Sequence, residues 1–399
     1  DDLNIPGGGA PNLSVQFSFI GRTPTAVFAS SENGNLTGDP KLGPLAFNGG
    51  PTQTHALLPG SPAIDKGSNA LAVDVTQNGS PPLTTDQRGN PVPRIVNETV
   101  DMGAYEVFKL DPIVVSTHVD ELDANIARGD LSLREAIALA NASPGPNTIT
   151  FDSSIDGTEL DLTMGQMVIS ESVTITGNGA NKTVLDAQQQ SRIFDIIDTA
   201  GDVTINDMTL KNGLSTGNST AGFFLGGARD IPNGGGAVRL LSPGNLTINR
   251  STLSGNSTSG FLLAGGAIYT VAGAVKLTDS TLSGNSASGD LSTGGAIASR
   301  NGEVLLLNTT VSGNLSGAAG GGIWFNDAPV TIINSTITGN STTGSGGGLW
   351  GENGSRFGKQ LSIQNSIIAG NTAVTGSDVF VGSATPAANV DIRFSLIGK

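Results

Sequence analysis

The chain has 399 residues, and its net charge of −14 makes DNA, RNA and anionic membrane surfaces poor partners. Glycine supplies 57 residues and charged residues only 14% of the chain, which fits neither a disordered protein nor an ordinary helical globule. Cysteine is absent, which excludes disulfides, thiol catalysis and cysteine-ligated metals.

The first predicted element lies near the N-terminus. Residues 13–22, LSVQFSFIGR, agree almost position by position with residues 390–399, VDIRFSLIGK, 377 positions later. Both segments fit the repeat template described below, so each is expected to form the same kind of coil. Two arrangements remain open: the chain is one register of a longer tandem polypeptide, or the N-terminal segment of one subunit completes the solenoid of another.

Residues 38–106 are rich in proline, which central strands tolerate poorly. They include GPTQTHALLPGSPAID at 50–65, DQRG at 86–89 and GAYE at 103–106. We predict that residues 1–106 contain a terminal coil and an irregular terminator segment that closes the end of a β-helix module.

The only clear helix follows. Ser132 to Glu135, SLRE, form a capping box, and Leu133, Ala136, Ile137 and Ala140 share one apolar face. We predict an N-terminal cap over residues 107–169, with a helix near 131–142 that covers the open edge of the first coil.

Residues 170–399 contain a repeat of about 29 residues with β-rich stretches separated by Gly, Ser and Asn turns. A Gly-Gly-x-apolar motif precedes most units. Three apolar positions recur in each unit without an insertion: Leu246, Val275, Val304, Val330 and Leu361; Ile248, Leu277, Leu306, Ile332 and Ile363; Leu253, Leu282, Val311, Ile337 and Ile368. Short strands of this kind bury an apolar face only when equivalent strands stack, so the sequence predicts an all-β fold, a right-handed parallel β-helix or β-solenoid. A propeller or a leucine-rich horseshoe fits the repeat length and pattern less well.

Two further columns follow from the stacking. The first is a structural ladder of side-chain amides at a turn, formed by Asn256, Asn285, Asn314, Asn340 and Asn371. The second is a candidate contact surface for sugar rings or protein, because strand alternation points these residues away from the core: Arg239, Tyr269, Trp324 and Trp350, with Ala298 between them. The alternative for the second column is a loop that folds back over it.

The segment LSLREA at 131–136, followed by ALANA at 138–142 and NTITF at 147–151, resembles the CSLREA signature of large secreted bacterial β-helix proteins. The Gly-Gly-Ala-Ile and Ser-Gly-Asn-Ser repeats are similar to those of polymorphic outer-membrane, autotransporter-like proteins, and residues 50–106 resemble the terminator of the same modules. Leu131 stands where the signature has Cys, and the Phe-x-x-Asn companion motif is not regular here. The resemblance implies an exported, surface-associated or adhesive protein, usually without assigned catalysis.

Catalysis is the main rival hypothesis, since polysaccharide lyases and hydrolases share the β-helix architecture. Such activities need clustered acids with a basic residue, whereas the repeat body carries only scattered charges. His55 and His118 are expected to have structural roles. The segment Asp152-x-Ser154-x-Asp156-Gly157 is only a weak match to a Ca²⁺ loop, and the nearby acids are expected to be solvated: Asp120, Glu121, Asp123 and Asp130.

The sequence therefore favours an extracellular or cell-surface structural and adhesive β-helix, not an enzyme, with no cofactor beyond a weak Ca²⁺ possibility. We expect end-to-end self-association into a filament or giant array. A carbohydrate-binding surface module is the second hypothesis, and a polysaccharide lyase or hydrolase is the third.

Overall fold

A computed structural model of the chain describes residues 16–20, 34–46, 48, 50–58, 60–89, 92–96, 98–107, 112–123, 129–143, 145–217, 234–352, 360–382 and 389–398. The chain divides into two compact units. The N-terminal unit comprises Asp1–Asp111, Leu122–Arg128 and Ala138–Gly145, and the solenoid unit comprises Pro112–Glu121, Gly129–Ile137 and Pro146–Lys399.

The solenoid unit is built from parallel sheets in which each strand pairs with the equivalent strand of the neighbouring coils. Sheet I contains Ile113–Val115, Asn147–Phe151, Val173–Thr176, Val203–Asn206, Leu246–Asn249, Val275–Thr278, Val304–Leu307, Val330–Ile333, Gln360–Gln364 and Asn389–Arg393. Sheet II contains Glu159–Asp161, Val184–Asp186, Thr209–Lys211, Thr252–Ser254, Thr281–Ser283, Thr310–Ser312, Thr336–Thr338, Ile367–Ala369 and Leu396–Ile397.

Two more sheets complete the coils. Sheet III contains Met167–Ile169, Phe194–Ile196, Val238–Leu240, Ile268–Thr270, Ile297–Ser299, Ile323–Asn326, Leu349–Glu352 and Val379–Val381. Sheet IV is shorter and contains Leu214–Thr216, Ser257–Ser259, Ser286–Ser288, Leu315–Ser316 and Ser341–Thr342. The prediction of an all-β parallel solenoid is confirmed.

The apolar columns lie inside the stack in the predicted register. Ile248, Leu277, Leu306, Ile332 and Ile363 are direct neighbours in sheet I. All five are fully buried. The residues between them in each strand face outward, because successive side chains of a strand point to opposite faces. A register slip by one residue would therefore expose the whole apolar column, which fixes how each coil sits on the next.

The corner between sheets I and II is made by one residue per coil in the left-handed region. These residues have φ between 48° and 57°: Asp207, Arg250, Asp279, Asn308, Asn334, Asn365 and Phe394. Asp and Asn tolerate this conformation better than other side chains, which explains their recurrence at the position. From Arg250 onward a Ser or Thr follows the corner residue. Its hydroxyl accepts the main-chain N–H of the equivalent residue one coil earlier, as Ser366 Oγ accepts from Ser335 at 3.1 Å.

The cap helix spans Leu133–Ala142. Its capping box is reciprocal: the Ser132 N–H donates to Glu135 Oε2 at 3.0 Å, and the Glu135 N–H donates to Ser132 Oγ at 3.1 Å. Both side chains are buried. The stack begins before residue 170, since Ile113–Val115 already pairs with Asn147–Phe151 across the helix that separates them in sequence. That intervening helix hides the repeat template in this region.

The N-terminal unit is mostly irregular, as its prolines predict. Its strands are Phe19–Ile20 paired in parallel with Leu36–Thr37, and Leu42–Ala46 paired antiparallel with Thr54–Leu57. Short 3₁₀ turns lie at Asn69–Leu71 here and at Ser153–Ile155 in the solenoid unit. Among the residues that the structure describes, no helix is both long and apolar enough to cross a membrane.

The buried column provides a direct test of the fold. Leu306→Ala should lower the free energy of unfolding by about 2–5 kcal/mol, because it leaves a cavity in a fully buried column. Leu305 is the matched control, since it lies in the same strand and points outward. Urea unfolding followed by circular dichroism measures both variants, and equal losses for the two would contradict the assigned register.

Candidate functional site

The five asparagines of the predicted ladder form a continuous chain of hydrogen bonds. Each side-chain Nδ2 donates to Oδ1 of the next Asn at 2.8–3.0 Å, and each main-chain N–H donates to the same oxygen. The amides also donate to main-chain carbonyls of other coils. Each amide is thus used within the protein, which indicates a structural role.

The ladder ends on a different residue. The N–H and Nδ2 groups of Asn371 both donate to Asp378 Oδ1, at 3.0 and 2.9 Å. Asp378 immediately precedes the sheet III strand Val379–Val381, at the position that Gly348 holds one coil earlier. A Cβ on Gly348 would lie 2.9 Å from Asn371 Nδ2, so the earlier coil has no room for a side chain there. The polar ladder is therefore closed from within its own coil.

The predicted contact column is aligned as expected, but most of it is covered. Arg239, Tyr269, Ala298, Trp324 and Trp350 are successive partners in sheet III. Tyr269 is 3% exposed and Trp324 is 5% exposed. The expectation that this column faces solvent is therefore wrong for these two aromatic residues.

The cover comes from the turns that precede the last six strands of sheet III, Val238–Leu240 to Val379–Val381. A left-handed glycine, such as Gly265 or Gly320, lies before each of these six strands with φ of 60–71°. The residues just before these glycines form their own parallel ladder of bridges, which includes Ala264 and Ala319. Both alanines pack against Tyr269 and Trp324 in one apolar cluster. The turn folds across the outward face, which is the alternative that the sequence left open.

The two ends of this column make different interactions, an ion pair at one end and stacked aromatic rings at the other. Arg239 forms a bidentate ion pair with Asp195, with both N–O distances at 2.7 Å. At the other end Trp350 stacks on Trp324 with ring centroids 6.0 Å apart, and Phe380 stacks on Trp350 at 6.4 Å. Trp350 and Phe380 are only half-buried. The solvent-accessible aromatic surface of this column therefore consists of Trp350 and Phe380, in the last two strands of sheet III.

The one group of described acids with the spacing of metal ligands already holds a lysine side chain. Glu159, Asp161 and Asp186 bring ligand atoms within 4.8 Å of one another. Lys211 Nζ lies 2.7 Å from Glu159 Oε1 and 3.3 Å from Asp186 Oδ2, so one ammonium group already pairs with two of these three carboxylates. These bonds raise the pKa of Lys211, with the Glu159 carboxylate as the largest cause.

The weak Ca²⁺-loop residues have local partners. Asp152 Oδ1 accepts the Ser154 N–H at 2.9 Å and caps a 3₁₀ turn. Asp156 pairs with Lys182 at 3.1 Å and accepts a hydrogen bond from Asn178, which is the largest cause of its lowered pKa. Asp120 of the neighbouring acidic stretch pairs with Arg134 at 2.6 Å. These three carboxylates therefore have partners within the chain, and the prediction of a solvated acid is wrong for Asp120, whose side chain is 3% exposed.

The two histidines lie far apart in sequence and are both exposed. His55 Nδ1 is 2.8 Å from the Gly43 carbonyl oxygen, in the hairpin of the N-terminal unit. His118 lies in the loop after the strand Ile113–Val115 of the solenoid unit. The predicted structural role of His55 agrees with its main-chain contact.

The last coil is the least covered part of the solenoid. Val390, Ile392 and Ile397 are 45%, 44% and 37% exposed, although they occupy the three columns that are buried elsewhere. Their partners one coil earlier, Leu361, Ile363 and Ile368, are at most 3% exposed. Phe394, at the corner between them, is 92% exposed. This apolar end face is the strongest candidate functional surface in the described residues.

In the N-terminal unit, the DQRG and GAYE motifs form one buried polar network. The Arg88 guanidinium pairs with Asp86 at 2.6 Å and lies 3.8 Å from the centroid of the Tyr105 ring. The Glu106 N–H donates to Asp86 Oδ2, and the Glu106 carboxylate pairs with Arg94 at 2.8 Å. The side chains of Asp86, Arg88 and Glu106 are inaccessible to solvent. These motifs therefore build the core of the terminator segment.

Neither a protein-family model, nor a curated protein, nor a solved structure matches the chain.

The terminator network makes the stability of the N-terminal unit dependent on pH. Burial raises the pKa of Glu106 from 4.5 to about 7. Hydrogen bonds from the N–H groups of Asp101 and Val96 lower the pKa, but by less than burial raises it. The folded state therefore binds this proton more tightly than the unfolded chain does. The stabilisation is complete below about pH 4.5 and is lost as the pH rises through about 7.

After correction for intrinsic rates, the free energy of hydrogen exchange in the described residues of 60–107 should be about 2.5 kcal/mol lower at pH 8 than at pH 5. Glu106→Gln should flatten this dependence, because the amide does not titrate. The exposed Glu98→Gln is the control and should retain the dependence of the natural chain. An unchanged pH profile in Glu106→Gln would show that another group is responsible.

Proposed function

We propose that the chain is a structural subunit of an extracellular surface filament, in which the last coil of one copy stacks on the N-terminal unit of the next. The observation that carries the proposal is the exposure of Val390, Ile392 and Ile397 in columns that are otherwise buried. Strands at the edge of a sheet present unpaired N–H and C=O groups, which readily accept another strand. A head-to-tail contact of this kind propagates unless it closes into a ring.

The surface location is supported by the resemblance to secreted β-helix proteins and by a chain without cysteine. A structural rather than catalytic role is supported by the pairing of the described acids. Asp195 pairs with Arg239, Asp207 with Arg250, and Glu159 with Lys211. Two acids flanking an open groove, which glycoside hydrolysis requires, are not found among these pairs.

The assembly can be tested with one charged substitution. Ile392→Asp should keep the chain monomeric, because it places a carboxylate in the apolar end face where the next coil would bury it. The natural chain should elongate as its concentration is raised, as measured by sedimentation velocity and negative-stain electron microscopy.

Ile367→Asp is the matched control. Ile367 is 47% exposed, close to the value of Ile392, but its strand is paired on both sides. The control should therefore elongate like the natural chain. A natural chain that remains monomeric, or an Ile392→Asp chain that elongates normally, would contradict the proposed function.

A carbohydrate-binding role is the second candidate, and the parallel, half-buried rings of Trp350 and Phe380 favour it. Aromatic rings of this kind commonly bind sugar faces. Trp350→Ala should weaken retention on insoluble polysaccharide roughly threefold to tenfold, whereas the exposed apolar control Leu315→Ala should not. Equal retention of both variants would remove this candidate.

A further inference from the structure

The N-terminal segment and the last coil share a rare backbone feature. Phe17 has φ of 47° and Phe394 has φ of 50°, both in the left-handed region. Earlier coils place Asp, Asn or Arg at this corner, whereas these two segments place a phenylalanine. A bulky residue rarely adopts this conformation, so its presence at both sites needs a specific reason. The sequence around each is also shared, with Phe-Ser before an apolar pair.

Residues 34–37 contact residues 16–20 in the way that one coil contacts the coil before it. Phe19 pairs with Leu36 and Ile20 with Thr37, in parallel, as Ile367 and Ile368 pair with Leu396 and Ile397. The Ser18 N–H donates to Asn35 Oδ1 at 3.1 Å. In the solenoid, the Ser366 N–H donates to Ser395 Oγ at the same distance. Residues 34–37 therefore form a binding surface for a coil corner of this type, which we call the seat.

The seat is shaped for a phenylalanine ring. Gly34 has φ of 71°, and a Cβ at this position would lie 2.7 Å from Cδ1 of Phe17. Any other residue would displace the ring. Phe17 is 44% exposed on this seat, whereas Phe394 is 92% exposed. The last coil thus carries the same ring in the same conformation, but this ring is far more exposed than that of Phe17.

We infer that Phe394 and the strand Leu396–Ile397 of one copy replace Phe17 and Phe19–Ile20 on residues 34–37 of a second copy. This inference rests on the proposed head-to-tail assembly and assigns its register, with Leu396 beside Leu36 and Ile397 beside Thr37. Residues 16–20 then act as a built-in competitor that fills the seat before assembly. The exchange replaces one set of contacts with a matching set. Burial of Phe394, which is 92% exposed in the single copy, favours the exchange.

Two phenylalanine variants test the exchange because they should act in opposite directions. Phe394→Ala should raise the critical concentration for elongation about tenfold to a hundredfold, since the incoming corner loses its ring. Phe17→Ala should lower the critical concentration, since the resident competitor is weakened. Circular dichroism checks the fold of both variants. If both substitutions impair elongation, or if Phe394→Ala has no effect, the exchange is overturned.

A disulfide lock gives an independent measurement. Phe19→Cys with Leu36→Cys joins neighbouring parallel strands, which lie within the span of a disulfide, in a chain without other cysteines. The oxidised variant should not elongate, and reduction should restore elongation. The matched control is Thr336→Cys with Ile367→Cys, a parallel pair in the solenoid that should elongate in both redox states.

The outcomes separate this inference from the proposed function. Normal elongation of the oxidised lock, together with loss of elongation in Ile392→Asp, would overturn the exchange and leave head-to-tail assembly standing. A chain that stays monomeric in every form, Phe17→Ala included, would overturn both.

Discussion

Each strand of the solenoid unit pairs with strands of the neighbouring coils, and this coil-on-coil stacking is the interaction on which the rest of the structure depends. The strands are two to five residues long and cannot bury an apolar face alone. Each coil is therefore stabilised mainly by the coils stacked against it. At the beginning of the stack a ten-residue helix follows the first strand in sequence, and at the last coil the apolar columns become accessible to solvent.

At the last coil the asparagine ladder is closed by a hydrogen-bond acceptor, whereas the apolar columns are not covered. This difference indicates which kind of surface the last coil can bind. Asp378 completes the asparagine ladder, so the buried amides of Asn371 are satisfied without a further coil. No such closure exists for Val390 and Ile392 in the described part of the chain. At this end of the stack the buried amides therefore have their hydrogen-bond partners, whereas the apolar side chains remain exposed to solvent. Such a surface gains free energy mainly by burying area against another coil.

The apolar columns, the asparagine ladder and the capping box could be read from the sequence, because each depends on a fixed local spacing that stacking repeats. The burial of Tyr269 and Trp324 could not, because it depends on glycine turns that fold Ala264 and Ala319 across the outward face. The start of the stack was also missed, since the cap helix separates its first two strands. The likeness of residues 13–22 and 390–399 was visible in the sequence, but the seat formed by Gly34 became evident only in three dimensions.

Native-state hydrogen exchange of the intact chain, measured over a range of protein concentrations, tests the central claim that the last coil receives another copy. Amides of the interior coils 304–338 should be protected at every concentration, because both of their neighbouring coils belong to the same chain. The N–H groups of Leu396 and Gly398 already donate to carbonyls of the preceding coil, so they serve as an internal reference. The other amides of residues 389–398 should exchange rapidly at low concentration and become protected as the concentration rises. Protection of residues 389–398 that does not change with concentration would contradict the account.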